Sequence, residues 1–503
     1  MLPEKVETGG PESPFSRPAR ALGPAGFVLY ALAAPHSIAG AWIGLSLVVL
    51  AWLLRLAAER RTGFGPRTPL DLPLWLFLAW TALSSLLSYE PGASVPKLVN
   101  SATFVMFYMA RAWMTRTRAV LVASVLVVSG AAGVLWGAGE VAVGRGVVVT
   151  SLGAASPLRA ATPLGAGDAV WRVNGRRVSS VEEIDEGIRG TPAGARVSLS
   201  VISRGEHAEW PGPVVTEEMK RARSPSGIEG AGPTHSFRAS GWTRHYETFA
   251  EMLQMIAQLA LGFALAGARR RGEGARDESG RARLRVALAF AAYAVLAAGI
   301  ALTAMRTVLV AFAAGSLVLA WRAAARGRAR MLVGGLVVLV LAAGALAVWR
   351  TRAGGALSLG DASARMRLEV ARAALARVPH HPLFGHGMDS AKTHWREWGF
   401  PHNLHTHSTP VQLAFERGLP ALLLWLWLMY AFRRAASRAE RVWRDTDDAA
   451  AHGLTLGING ALAGFLASSL VNYNFGDAEA ALLLFWLMGT AVALGGDEAR
   501  LTK

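Results

Sequence analysis

Residues 401–418 read "PHNLHTHSTPVQLAFERG" and place His402, His405 and His407 just ahead of a short helical segment. Seven of the chain's 12 histidines fall between His380 and His407. Imidazole can ligate a metal or accept a proton near neutral pH. A zinc site could use the HxxHxH spacing, but no cysteine exists in the chain and no carboxylate nearby in sequence completes an obvious ligand set. The helix after the histidines carries clear signals. Thr409 suits the N-cap, Pro410 the first helical position, Gln412 a capping box and Gly418 the stop. His407 thus sits just outside a helix N-terminus, where free N–H groups and the positive end of the dipole favour an anion. The same field disfavours imidazolium and biases His407 towards its neutral, proton-accepting form. A neutral base beside an anion pocket suits transfer from a phosphate-bearing donor. Catalysis, metal binding and an interfacial loop without chemistry are the three readings.

Three arginines accompany the histidines. Arg238 precedes the sixth apolar run, Arg306 sits in the tight turn "LTAMRT", and Arg367 lies on a segment at 363–378. That segment has Met366, Val370, Ala374 and Leu375 at helical spacing, which predicts an amphipathic helix on the membrane surface. Arg306 interrupts an apolar hairpin, a costly place for a guanidinium unless it has a partner or snorkels to the interface. Guanidinium is the natural bidentate clamp for a diphosphate. Several clamps could replace the divalent metal that stabilises a leaving diphosphate in soluble sugar transferases.

Apolar runs position these residues. Hydrophobic residues make up 52% of the 503, and the long runs read as about twelve spans, each on the order of 17–23 residues. The fold class is an all-α polytopic membrane protein with a small α+β insert. The division is a tail (1–20), five spans (21–145), the insert (146–213), a Gly/Ser/Pro-rich linker (214–246), four spans (247–349), the histidine loop (350–418), three spans (419–496) and a second tail (497–503). The fourth span is placed at 96–113 and the ninth at 331–349. With the N-terminus in the cytoplasm, just over half of the 52 Lys+Arg fall in cytoplasmic segments such as "RRRGEGARDESGRARLR". The net charge of +17 is then a topology signal, and no basic patch with interleaved aromatics points to nucleic acid. "DTDD" at 445–448 falls on the cytoplasmic side and reads as a solvated charge run rather than a sugar-nucleotide motif. "ALAAPHSIAGA" looks like a signal-peptidase site, but the apolar stretch resumes at once, which predicts an uncleaved hairpin. Both long polar segments, the insert and the histidine loop, face outwards.

Within the insert, strand-like runs at 147–151, 169–173 and 197–202 alternate with Gly/Pro turns. "VSSVEEIDEGIRG" predicts a short helix capped by Ser179 or Ser180. At "SPLRAATPLGAGDAVWRVNGRRV" the insert resembles a PDZ domain of the kind found in bacterial periplasmic proteases. Gly167, Asp168, Asn174 and Gly175 stand at that family's "GD" and "VNG" turns. The resemblance implies peptide capture by strand addition. The carboxylate-binding loop would have to come from "VAVGRG" (141–146), directly off a span, so a docking or spacer role stands beside peptide binding. No HExxH or GxSG motif supports a membrane protease.

The rest of the chain resembles the O-antigen ligase and O-antigen polymerase superfamily. "RLEVARAALARVPHHPLFGHG" is similar to the family's arginine, helix and "hPLxGxG" turn, and "HTHSTPVQLAFERGLPALLL" to its "HxHNxxLQxLxExGxxGLLL". Ser408 replaces the usual Asn, Pro420 stands where Gly is common, and His402-Asn403 offers a second "HN". "FRASGWTRHYETFAEML" and "LTAMRTVLVAF" resemble two further arginine segments, with Met305 in place of Ser. The resemblance implies a glycosyltransferase of the bacterial inner membrane, acting on the periplasmic face. Undecaprenyl pyrophosphate carries the glycan, and lipid A-core or a protein offers the acceptor hydroxyl. His407 would be the base with His405 upstream, while Arg238, Arg306 and Arg367 would hold the pyrophosphate and Arg306 and Arg367 would share in catalysis. His402, His245 and Glu416 are candidate supporting residues, and no metal or other cofactor is expected. Polymerisation of repeat units from the same donor is the alternative. A lipid-linked glycan transporter and a PDZ-based scaffold are the readings of another class.

Overall fold

The computed structural model describes residues 16–60, 62–203, 206–235, 237–243, 245–272, 280–324, 335, 362–400 and 405–496. The chain divides into two compact units. One comprises residues 1–134, 242–301 and 305–503, the other 135–241 and 302–304.

The first unit is helical. Eight helices are long and apolar enough to cross a membrane, among them Ile38–Glu59, Gly280–Leu302, Arg306–Ala323 and Thr409–Arg444. Ala19–Ala33 and Asp71–Leu87 are shorter apolar helices. The protein is therefore polytopic, with fewer such helices among the described residues than the twelve spans expected. The expected fourth span is broken: Val95–Phe104 is a 3-10 helix and only Val105–Trp113 is α-helical. The expected ninth span, 331–349, lies almost entirely outside the described residues.

The bundle is built around Tyr246–Gly272, which is buried along nearly its whole apolar length. Its main partner is Ala449–Ser469, and small residues set their separation. A Cβ on Gly262 would lie 2.2 Å from the Gly453 carbonyl oxygen, and one on Gly453 2.7 Å from Phe263 Cα. Backbones approach this closely only without side chains between them. The outer helices turn Leu284, Leu288, Val310 and Trp321 away from the protein. At the Asp448 end of Ala449–Ser469, ionic clamps tie helices together. Buried Glu440 accepts from Arg322 and Arg444, each at 2.5 Å. Asp448 pairs with Arg116 and caps its helix by accepting from Ala451 N at 3.0 Å, and Asp447 pairs with Arg270 at 2.9 Å. The "DTDD" run is thus a clamp and a helix cap, not merely solvated charge.

The second unit holds a six-stranded antiparallel sheet: β1 (Arg145–Leu152), β2 (Ala169–Val173), β3 (Arg176–Arg177), β4 (Arg196–Ser203), β5 (Glu206–Val214) and β6 (Ile228–Thr234). The order is β5-β4-β2-β1-β6, with β3 on β2. Val181–Arg189 forms the expected helix; Ser180 accepts from Glu183 N, and Ile184 and Ile188 are buried. Asn174 (φ 49°) and Gly175 (φ 78°) make the "VNG" turn. Two features differ from expectation. The segment read as a linker supplies β6, which pairs with β1 from Arg145↔Thr234 to Leu152↔Ile228. Residues 141–143 of "VAVGRG" finish the helix Arg116–Val143, and Arg145 opens β1, so only Gly144 separates helix from strand. Arg145 is buried, pairs with Glu140 and lies over the rings of Trp171 (5.1 Å) and Phe237 (4.5 Å). β1 therefore has neighbours on both sides, and the outer edges belong to β5 and β6.

Candidate active site

The histidine loop rests on a small core of its own. Val370 and Ala374 of helix Ala362–Arg377 join Trp398, Phe400, Ala414 and Phe415 in one buried cluster, while Leu375 is exposed. The helix expected on a membrane surface thus spends its apolar face on the protein. The short helix starts at Thr409, with Ser408 rather than Thr409 at the N-cap (φ −152°, ψ 119°). It stops at Gly418 (φ 82°), where a Cβ would fall 1.8 Å from the Leu383 carbonyl oxygen. Only glycine fits there. Gln412 holds the loop rather than the N-cap, bonding two residues ahead of Ser408. Its Oε1 accepts from Thr406 N at 2.8 Å, and its Nε2 donates to Glu416 Oε1 at 2.7 Å.

These elements border a cavity of about 490 Å³ in the helical unit. His407, His405 and His245 line it, as do Glu416, Asp389, Lys97, Lys392 and Arg417. His407 occupies the left-handed region (φ 52°), uncommon for a side chain of this size. Its Nε2 is buried and has no hydrogen-bond partner among the described residues. Burial, then the charge of Arg367, then His405 pull its pKa down to about 4. The neutral form expected from the helix dipole is favoured instead chiefly by desolvation. His405 packs its ring 5.3 Å from that of Tyr473, and burial followed by Lys392 lowers its pKa too.

Two carboxylates stand beside His405, against the expectation that none would be near. Ligand atoms of His405, Asp389 and Glu416 lie within 4.8 Å of one another, a set that could hold a metal ion. Those groups already have partners. Asp389 pairs with Lys97 at 2.7 Å and Lys392 at 3.2 Å; burial opposes its charge, yet the two lysines hold its carboxyl below the ordinary range. Glu416 Oε1 accepts from Asp389 N at 2.9 Å. Two ammonium groups beside Asp389 already balance its charge, so the trio also forms part of an ion-paired wall.

Arg367 reaches the cavity wall through two lining residues. It donates to Asn472 Oδ1 and to Glu247 Oε1, both at 3.2 Å. Its Nε is buried with no partner among the described residues. Arg306 is the first residue of helix Arg306–Ala323, half-buried, and follows Ala304 in the left-handed region. The next residue, Thr307, accepts from Asn472 Nδ2 at 3.2 Å. Arg238 belongs to the second unit, where it is largely buried. His402 lies outside the described residues.

Asn472 ties these parts together and escapes the sequence reading. Besides Arg367 and Thr307, its side chain donates to Glu251 Oε1 at 3.1 Å, and its carbonyl accepts from Thr409 N at 3.2 Å. Glu251 also accepts from Ser468 and Asn474. The available signal is "VNYNFGD" (471–477), a polar knot between two apolar runs.

Residues 291–426 match the O-antigen ligase family model. The matched segment is a little over a quarter of the chain and contains Arg306, Arg367, His405, His407 and Glu416. With the apolar helices, the match makes the chain similar to membrane proteins of the O-antigen ligase family. No curated protein matches the chain.

Proposed function

We propose that this protein transfers a glycan from undecaprenyl pyrophosphate to an acceptor hydroxyl on the periplasmic face of the bacterial inner membrane, as an O-antigen ligase does. The observation that carries the reading is His407. A histidine kept neutral by burial has a buried Nε2 without a partner among the described residues, beside a polar cavity and inside the segment that matches the O-antigen ligase family model. Nε2 takes the proton of the acceptor hydroxyl, whose oxygen attacks the anomeric carbon. The bond from that carbon to the diphosphate oxygen breaks, and the lipid diphosphate leaves with the electron pair. Arg306 and Arg367 stabilise its charge, Arg367 held by Glu247 and Asn472. His405, Glu416 and His245 support the site, and guanidinium groups take the place of a metal. The acceptor is lipid A-core or a protein. The PDZ-like insert serves recognition of a protein partner.

Purified wild type and His407→Ala are compared for transfer from an undecaprenyl-pyrophosphate glycan in EDTA. Wild-type transfer that survives EDTA and falls by a factor of about 10² or more in the variant supports the reading. Loss of wild-type transfer in EDTA restores a metal to Asp389, His405 and Glu416. Unimpaired His407→Ala removes the base. Offering repeat units and lipid A-core in parallel separates polymerase from ligase.

A further inference from the structure

Arg417 is the unusual cation of the cavity. Its side chain lines the space, yet the residue is only 8% exposed. The other two lining cations, Lys97 and Lys392, both pair with Asp389. Among the described residues Arg417 has no carboxylate within 4.0 Å, and its Nε is buried without a hydrogen-bond partner. The nearest anion is its sequence neighbour Glu416, which feels the charge of Arg417 but makes no ion pair with it within 4.0 Å and hydrogen-bonds Asp389 N and Gln412 Nε2 instead. What the guanidinium touches is the ring of Phe77, 5.8 Å from centroid to Cζ. A charge taken out of water and left without an anion is costly.

The backbone beneath Arg417 is fixed from several sides. Trp80 Nε1 donates to its carbonyl at 3.0 Å. His386 N and Gly387 N donate to Phe415 O and Glu416 O at 2.8 and 2.9 Å, and Leu419 N donates to Pro382 O at 2.8 Å. Gly418 ends the helix immediately after it, so Arg417 also stands at a helix C-terminus, where a cation is favoured. The fold therefore holds a guanidinium in place at the cavity without a direct ion pair among the described residues.

We propose that Arg417 is an anion-binding residue of the cavity and takes a phosphate group of the lipid diphosphate donor, in addition to Arg306 and Arg367. The assignment rests on the transferase reading for the identity of the donor. A carboxylate on an acidic sugar would offer the same negative oxygens, so the test separates the two sources.

Full-length protein in detergent with EDTA is titrated with farnesyl diphosphate, farnesol, inorganic pyrophosphate and glucuronate, reading tryptophan fluorescence and thermal midpoint. Wild type is expected to bind farnesyl diphosphate and pyrophosphate, and neither farnesol nor glucuronate. Arg417→Gln loses at least about tenfold in diphosphate affinity and, without ligand, melts no lower than wild type, because the cost of burying a guanidinium without a direct ion pair outweighs what the helix end and Glu416 return. Arg417→Lys keeps the charge without the fork and binds several-fold more weakly than wild type. Wild-type affinity in Arg417→Gln, a lower ligand-free midpoint in that variant, absence of anion binding in wild type, or glucuronate binding in place of diphosphate each overturns the proposal. Transfer assays run alongside keep the two readings apart. Diphosphate binding through Arg417 without glycan transfer sinks the transferase reading alone. Transfer with an unchanged donor KM in Arg417→Gln sinks the Arg417 site alone.

Discussion

A single histidine sets the pH behaviour expected of this site. His407 accepts a proton only when neutral, and its pKa is about 4. The transfer rate should therefore stay level from about pH 8 down to about pH 5 and collapse as pH falls through 4. A profile bending near 6.5, the ordinary histidine value, would show that the base is another group. After burial, Arg367 is the next cause of the depression. Arg367→Gln should therefore raise the acid limb of the profile as well as lowering the rate. Asn472 holds Arg367 through one hydrogen bond, so Asn472→Ala should lower transfer less than Arg367→Gln does and leave His407→Ala no worse when combined with it. Steady-state rates of the double variant decide this. His407 and the arginines were legible as residue types. Asn472 was not, because its importance lies in four partners that sequence spacing does not bring together.

The short helix 409–417 and its stop are the element on which the site depends. Gly418 has φ 82° and no room for a Cβ beside Leu383. Gly418→Ala should cost at least about 1–3 kcal/mol from backbone strain alone, read from thermal or denaturant unfolding in detergent. His386 packs under the same helix, stacked 4.5 Å from Phe415, with its N–H groups aimed at the Phe415 carbonyl. Burial, then His381, lowers its pKa to about 4. Its unfolded form takes a proton near 6.5, so this stabilisation is complete above 6.5 and is lost as pH falls towards 4. Limited proteolysis of the loop should quicken across that window, and His386→Phe should flatten the change. Signals for this element were strong because caps and stops are local: Pro410, Gln412 and Gly418 act within a few residues of themselves. The helix at 363–378 was legible, but periodicity finds an apolar face without saying what covers it. Phe415 and Trp398 cover it here.

Across the whole molecule, the ionic clamps and the cavity lie at opposite ends of helix Ala449–Ser469. Asp448 caps one end, and Asn472 follows the other. If that helix spans the membrane, the two sets face opposite sides. The chain has no cysteine, so introduced thiols report cleanly. Glu397→Cys, with a side chain 59% exposed, should react with an impermeant maleimide from the periplasm. Asp447→Cys, 99% exposed, should not. Labelling of both from one side would contradict the proposed topology.

By itself the sequence determined the apolar helices, the capped and stopped segment after the histidines, and the candidate base and guanidinium groups. Each follows from hydropathy, turn chemistry or side-chain type, which act locally. Only the tertiary structure decided which groups meet. It brought Asp389 and Glu416 to His405, joined Arg367 to Glu247 and Asn472, and drew β6 from an apparent linker onto β1. It also left Arg417 at the cavity without a direct ion pair among the described residues. These pairings connect positions tens to hundreds of residues apart. Their energies depend on burial and geometry, which no local pattern encodes.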